Sequence, residues 1–501
     1  MTSSQWAALG SAQIAALSTD ALPSMETADL RAITTAALAG FSSDQIKSLT
    51  STEVAAFSTN QLVKLSTTQL QGLETDDMAA LSSSQIASLT SDQLKALTTD
   101  QLPAIESGDI KSITTVALRA LSSAQLDALT SDQLQALSST QLNALTSTQL
   151  QSLKTDDLNA LTTDQFSKLS TAQVALLTTA QIAAMETADL AALTSSQWAA
   201  LGSAQIAALS TDALPSMETA DLRAITTAAL AGFSSDQIKS LVSAEVAALT
   251  TTQLAKLSTI QLQGLETDDM AALSSAHIAA LSSDQLKALT TDQIAAIESG
   301  DIKSITTVAL RALSSAQLDA MTSDQLQALS SAQLNSLTST QLQSLKTDDL
   351  NALTTDQFSK LSTAQVALLT TTQVAGMETA DLAALTSTQW AALGSAQIAA
   401  LSTDALPSME TADLRAITTA ALAGFSSDQI KSLTSTEVAA FSTNQLVKLS
   451  TTQLQGLETD DMAALSSSQI ASLTSDQLKA LTTDQLPAIE SGDIKSITTV
   501  A

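Results

Sequence analysis

Cysteine is absent from this 501-residue chain, which excludes disulfides and thiolate metal sites. That absence fits an extracellular protein that avoids oxidation chemistry. There is no tyrosine, aromatic residues make up only 2% of the sequence, and glycine and proline number 13 and 5. These scarcities argue against the roughly three or four globular domains that the length alone would suggest. Positive charge is also scarce: 21 Lys and Arg face 50 Asp and Glu, for a formal net charge of −29. A chain so acidic repels phosphate backbones and anionic membrane surfaces, so nucleic acid is excluded as a partner. No apolar run is long enough to cross a bilayer, so no membrane insertion is expected. The opening residues, MTSSQWAALG, lack the basic and apolar regions of a signal peptide, so any export signal is expected to lie outside this chain.

What remains is 44% hydrophobic, mostly Leu, Ala and Ile, with Ser, Thr, Gln and Asp between. Such a chain is too apolar for a disordered tail and too simple for an ordinary globule, a combination that points to stacked repeats. In blocks of eight from Met1 it reads MTSSQWAA, LGSAQIAA, LSTDALPS, METADLRA, without a slip. Position 1 is Leu, Met, Ile or Phe, position 3 is Ser or Thr, and position 6 is apolar. Position 5 is usually Gln and position 8 usually Ala. A longer period overlies the octad. Trp6, Trp198 and Trp390 stand 192 residues apart, which is 24 octads. The chain therefore divides into a first unit (1–192), a second (193–384) and a partial third (385–501), expected to form one continuous solenoid. The third breaks off inside an octad, at ITTVA, and reads as a segment of a longer array.

Neither a continuous helix nor a straight strand suits this pattern. Eight residues at about 3.6 per turn let the apolar positions drift by roughly 80° per octad. Apolar spacings of five and three place residues on opposite faces of a strand. The chain must therefore turn within every octad. In LTSDQLKA, Thr90 and Gln93 have the spacing of a capping box, and Leu89 and Leu94 that of a hydrophobic staple. Asp92 falls in the first turn, where the helix dipole favours it. One octad thus reads as a cap, a very short helix and a corner. In METADLRA the cap falls either on Glu26 or on Thr27, and the position-3 hydroxyl is equally placed for a ladder between coils. Pro23 and Pro103, at position 7, predict a helix that ends there or tightens to 3₁₀ geometry. So short a helix is unstable alone, which makes stacking compulsory. The expected fold is all-α: an elongated solenoid of octapeptide repeats. Octads with Asp at position 5 fall on odd numbers and proline octads on even ones in the first unit, which predicts two octads per coil.

The residues that could carry chemistry are few. His277, the one histidine, occupies the slot held by Gln85 in the first unit, and so reads as a tolerated polar substitution. Carboxylate pairs such as Asp76 with Asp77 read as helix N-terminal charge on a solvated edge. The alternative is a row of Asp binding calcium between coils, although neither an EF-hand loop nor a calcium nonapeptide is present. Arg31, Lys47, Lys64, Lys95 and Lys111 are scattered singly, as solubility and register devices. Gly40, Gly72 and Gly108 fall at corners or caps, and Trp6, Trp198 and Trp390 read as core fillers. With no nucleophile–base pair, metal constellation or cofactor fingerprint, the expectation is a non-enzyme without catalytic, cofactor-binding or metal-binding residues.

Leu89–Leu97, LTSDQLKAL, resembles the first helix of a transcription-activator-like effector repeat, but the period, the base-reading loop and the charge of that family are missing. The whole chain resembles the repeat regions of very large bacterial secreted or surface proteins of adhesin-like and haem-utilisation-like type, where runs like ALTTDQIAAI (Ala288–Ile297) recur. That resemblance implies an extracellular or cell-surface location in a bacterium. It implies a rod, filament or sheath that assembles with itself, or else an adhesin stalk that meets surface proteins or glycans. It implies nothing about haem, since no axial-ligand site is visible.

Overall fold

The octad dictates the fold one corner at a time. At position 2 the backbone is extended and the residue acts as N-cap; positions 3 to 8 form one short helix; position 1 of the next octad is extended again and closes it. Thr90 (φ −75°, ψ 162°) caps the helix Ser91–Ala96, and Leu97 ends it (φ −60°, ψ 143°). The capping box is complete, with Thr90 Oγ1 accepting from the Gln93 N–H and Gln93 Oε1 accepting from the Thr90 N–H. The computed structural model describes residues 1–497, and residues 498–501 of the incomplete last octad lie outside it. Among the described residues every regular element is an α-helix or 3₁₀ turn of three to six residues, and there is no strand. The chain is an all-helical solenoid of short helices.

The N-cap register holds at position 2 in most octads, even where the residue there is a poor cap; elements such as Ala37–Gly40 and Gln485–Ala488 start later in the octad. In METADLRA the helix Thr27–Ala32 starts after Glu26, whose side chain makes no capping bond, so Thr27 is not the cap. Proline at position 7 tightens the backbone at Pro23, Pro215 and Pro407, whereas Pro487 lies inside the short α-helix Gln485–Ala488. Thr19–Ser24, which contains Pro23, is a 3₁₀ turn, as are Leu214–Ser216 and Leu406–Ser408. Pro103 sits in a turn outside any helix.

The chain forms two compact units, Met1–Lys256 and Leu257–Ala501. In each, the apolar residues of positions 1 and 6 line a continuous interior; Leu62, Leu94 and Leu126 in the first unit, and Leu286, Leu318 and Leu350 in the second, are at most 1% exposed. Position 7 faces solvent and the small residue at position 8 is half-buried, which lets successive coils approach.

The coil is larger than the parity of the octads suggests. Gln45 Nε2 donates to the carbonyls of Ile14 and Leu17, 31 and 28 residues earlier, at 3.1 and 2.8 Å. In the second unit Gln317 does the same to Leu286 and Leu289, at 3.1 and 2.7 Å. Side chains at position 7 reach forward by a little over three octads, as in Gln71 Nε2 to the Ala96 carbonyl (2.9 Å) and Gln327 Nε2 to the Ala352 carbonyl (3.0 Å). One coil therefore closes after more than three octads and fewer than four, and the expected two octads per coil is wrong. The reason is geometric. Each helix end offers two carbonyls to the next coil, and the glutamine amide that meets them comes from 28 and 31 residues further along, not two octads.

Candidate functional site

Position 5 is where the polar chemistry of this chain concentrates. In most octads it is a buried Gln whose amide divides its work. The oxygen closes the capping box of its own helix, while the nitrogen bridges the two carbonyls below. Gln93 shows all of this, with Oε1 3.0 Å from Thr90 N and Nε2 2.8 and 2.9 Å from the carbonyls of Leu62 and Leu65. The amide supplies two protons to two buried acceptors that water cannot reach, so the arrangement satisfies groups that would otherwise destabilise the interior.

Where position 5 is Asp the side chain is too short to reach the coil below, and in most of these layers a different bond replaces the bridge; Asp157 and Asp349 instead face the carboxyls of Asp127 and Asp319. The position-3 hydroxyl, three octads earlier, donates to the carboxylate: Ser3 to Asp29 (2.8 Å), Ser51 to Asp77 (3.0 Å), Ser195 to Asp221 (2.6 Å), Ser387 to Asp413 (2.7 Å) and Ser435 to Asp461 (2.9 Å). Ser83 with Asp109 and Ser275 with Asp301 pair in the same way. In these layers the position-3 hydroxyl is therefore a ladder rung between coils and not a cap. Burial pushes the carboxyls of Asp77, Asp221, Asp413 and Asp461 up, and the serine hydroxyl partly offsets it. At Asp189 and Asp381 the residue in the corresponding earlier slot is Thr163 or Thr355. These two carboxyls are pushed up to about 6, first by burial and then by the neighbouring Glu186 or Glu378.

The other residues singled out by the sequence are dispersed. His277 is 7% exposed and takes over the capping role of the glutamine it replaces, with Nδ1 3.2 Å from Ser274 N. Asp76 is exposed beside the buried Asp77, so the pair splits between solvent and interior. Trp198 and Trp390 are core residues with 2% exposure, and Trp6 is half-buried. Arg31 Nε binds the Ala56 carbonyl at 2.9 Å, a register contact between coils. Lys47 lies 3.5 Å from Glu74 across an exposed pair of the kind that contributes little. Gly40 is a site of close approach, since a Cβ there would lie 2.0 Å from the Ser11 carbonyl oxygen, and at Gly72 the Ser43 oxygen would be met at 2.5 Å. Gly108 faces open space.

The surface carries a shallow acidic groove lined by Gln71, Glu74, Asp76, Thr98, Asp100 and Gln101, and the groove recurs one long repeat later around Glu266, Asp268 and Asp292. Among the described residues no three His, Asp or Glu side chains gather in a metal-binding arrangement. Nor is any helix among them long and apolar enough to cross a membrane.

Comparison with known families gives one decisive match. The model of the ALTTAQ repeat fits thirteen stretches between residues 22 and 488, among them 22–59, 70–104, 214–251 and 454–488, which together cover most of the chain. The chain belongs to the ALTTAQ repeat family. The six residues of that description fall on positions 8, 1, 2, 3, 4 and 5 of the octad, as in Ala96–Gln101, ALTTDQ. They are the corner, the N-cap and the bridging glutamine, the parts that build the coil. Matched stretches such as 102–139 and 294–331 are 38 residues long, so each match spans more than one coil. No curated protein matches the chain.

Sequence reasoning found the capping box but missed the second task of position 5. The signal was present. Glu closes a capping box as well as Gln does, yet position 5 is overwhelmingly Gln, and only the amide also carries two donors.

Proposed function

We propose that this ALTTAQ repeat chain is a structural protein: a rigid, acidic rod that builds a filament or sheath, or extends a protein on a bacterial cell surface. The observation that carries the reading is the assignment of buried polar groups to coil-to-coil bonding. The amides of Gln45 and Gln93 and the carboxylate of Asp77 are all used to stack one coil on another. A repeat unit of this kind propagates without a preferred length, and the near-identical long units present the same surface at equal intervals. Equal surfaces suit lateral or end-to-end self-association, and a heterologous contact that does not close generates a fibre.

The resemblance to very large bacterial secreted and surface proteins supports an extracellular setting. On this reading the protein is no enzyme and takes no cofactor, with calcium on the acidic edge as the one alternative. Its principal partner is itself, with no nucleic acid and no membrane insertion. A second reading is the stalk or binding face of a surface adhesin that meets a protein or glycan. It is favoured by the acidic groove beside Glu74, whose repetition beside Glu266 would give many weak contacts the advantage of multivalency.

Electron microscopy of the purified chain tests the proposal. Long uniform fibres support the filament, isolated rods support the spacer or stalk, and compact particles without a rod axis contradict all three.

A further inference from the structure

Three octads, one in each long repeat unit, break the glutamine rule in a way the fold does not explain. Position 5 is Glu at Glu53, Glu245 and Glu437. Glu53 and Glu437 are 2% and 3% exposed, as deeply buried as the glutamines around them. One carboxylate oxygen does what a glutamine oxygen does: Glu53 Oε2 accepts from Thr50 N and Thr50 Oγ1 at 2.7 and 2.9 Å. Glu437 Oε2 accepts from Thr434 N and Thr434 Oγ1 at 2.6 and 2.9 Å. The other oxygen, Oε1, has no hydrogen-bond partner in either residue.

That oxygen takes the place of the Nε2 of a glutamine. On either side of Glu53, Gln45 Nε2 reaches the carbonyls of Ile14 and Leu17, and Gln61 Nε2 those of Leu30 and Ile33. The same register assigns Glu53 Oε1 to the carbonyls of Leu22 and Met25, and Glu437 Oε1 to those of Leu406 and Met409. The proline octad beneath does not remove the acceptors, because Gln133, which lies over Pro103, still donates to the carbonyls of Leu102 and Ile105 at 2.9 and 2.7 Å. By that register the carboxylate oxygen stands where the flanking coils have an amide with two protons and offers the carbonyls none, although the Leu22 and Leu406 carbonyls each keep their own backbone bond from Met25 and Met409 N–H, at 3.0 Å. The carbonyls lie at the end of a short helical turn, where the peptide dipoles present their negative ends.

We propose that the Oε1 slots of Glu53 and Glu437 are binding sites for a monovalent metal cation, sodium or potassium, coordinated by the carboxylate oxygen and the two carbonyls below it. The donor set is all oxygen, which selects a hard cation over a transition metal. It carries a single negative charge, which one positive charge neutralises, and an unpaired buried carboxylate is otherwise costly. Calcium is disfavoured because its second positive charge would stay buried and uncompensated beside a single carboxylate. The ion would do for these layers what the glutamine amide does for the rest, and the chain would need alkali cations for full stability at these coils.

The test is thermal unfolding of the full chain at constant ionic strength, with sodium or potassium exchanged for the bulky cation N-methylglucamine. The same series is run on Glu53→Gln/Glu245→Gln/Glu437→Gln, which restores the bridging amide and keeps the fold. The proposal predicts a saturable rise in the unfolding temperature of the parent chain with sodium or potassium over N-methylglucamine. It predicts no such difference in the variant, which should match the cation-loaded parent without the metal. Preference between sodium and potassium identifies the ion. Equal stability of the parent in all three cations overturns the proposal, as does a cation effect that persists unchanged in the variant. Stabilisation of the parent by acid alone, with no response to cation identity, also overturns it and assigns the slot to a proton.

Discussion

Gln45 Nε2 lies 2.8 Å from the carbonyl oxygen of Leu17, 28 residues back along the chain, and that bond sets the size of the coil. The helices are too short to hold themselves, so the amide that ties one layer to the next is part of the fold and not an ornament on it.

Removal of one bridge should therefore be costly. Gln93→Ala leaves the Thr90 N–H and the Leu65 carbonyl without their partner, while the Leu62 carbonyl keeps the Leu65 N–H at 3.1 Å. Each buried unsatisfied group costs about 1–3 kcal/mol. The expected outcome is a lowered unfolding midpoint in urea together with faster hydrogen exchange at the Thr90 amide, measured by NMR.

Two glycines of similar appearance should respond in opposite directions. Gly40→Ala places a methyl group 2.0 Å from the Ser11 carbonyl oxygen, and an overpacked position of this kind costs about 1–3 kcal/mol. At Gly108, in the helix Ser107–Ile110, an added methyl meets nothing within 4 Å. Gly108→Ala should stabilise by about 0.5–1 kcal/mol through helix propensity. Chemical unfolding of the two variants, side by side, checks both signs.

Acid should stabilise the layers around Asp189 and Asp381. Their folded carboxyls hold a proton up to about pH 6, mainly because they are buried, whereas an unfolded aspartate releases it near about 4. Between those values the folded chain binds more protons, so stability falls as pH rises from about 4 to about 6 and levels off above. Asp189→Asn/Asp381→Asn should flatten that part of the profile, measured as unfolding temperature against pH.

The serine rung has its own signature. Ser195 Oγ donates to Asp221 at 2.6 Å and holds its carboxyl below the value that burial alone would impose. Ser195→Ala should move the Asp221 carboxyl further up, read by its carboxyl carbon shift in an NMR titration, and an unchanged titration would contradict the assignment.

Much of this fold is legible one octad at a time. Thr90, Gln93, Leu89 and Leu94 announce the cap and the two buried positions, because those contacts fall within a single octad and leave fixed spacings. The coil is not legible in the same way. It closes between three and four octads, so no whole-octad alternation records it, and the odd and even placing of Asp and Pro octads is no guide to it. The buried partner of Asp77 was equally hidden. Ser51 lies in a distant octad from Asp77 and donates from a position that is Ser or Thr in every octad, so nothing marks it out. Gly40 could be placed at a corner, but only the approach of Ser11 shows why a larger residue does not fit there.

The size of the coil can be tested in the chain itself, since it has no cysteine to interfere. Ser51 Oγ and Asp77 Oδ1 are 3.0 Å apart across one coil, although more than three octads separate them in sequence. Ser51→Cys/Asp77→Cys should form an intramolecular disulfide on mild oxidation, while Ser51→Cys/Thr67→Cys, separated by two octads, should stay reduced. A disulfide in the second pair and none in the first would contradict the account.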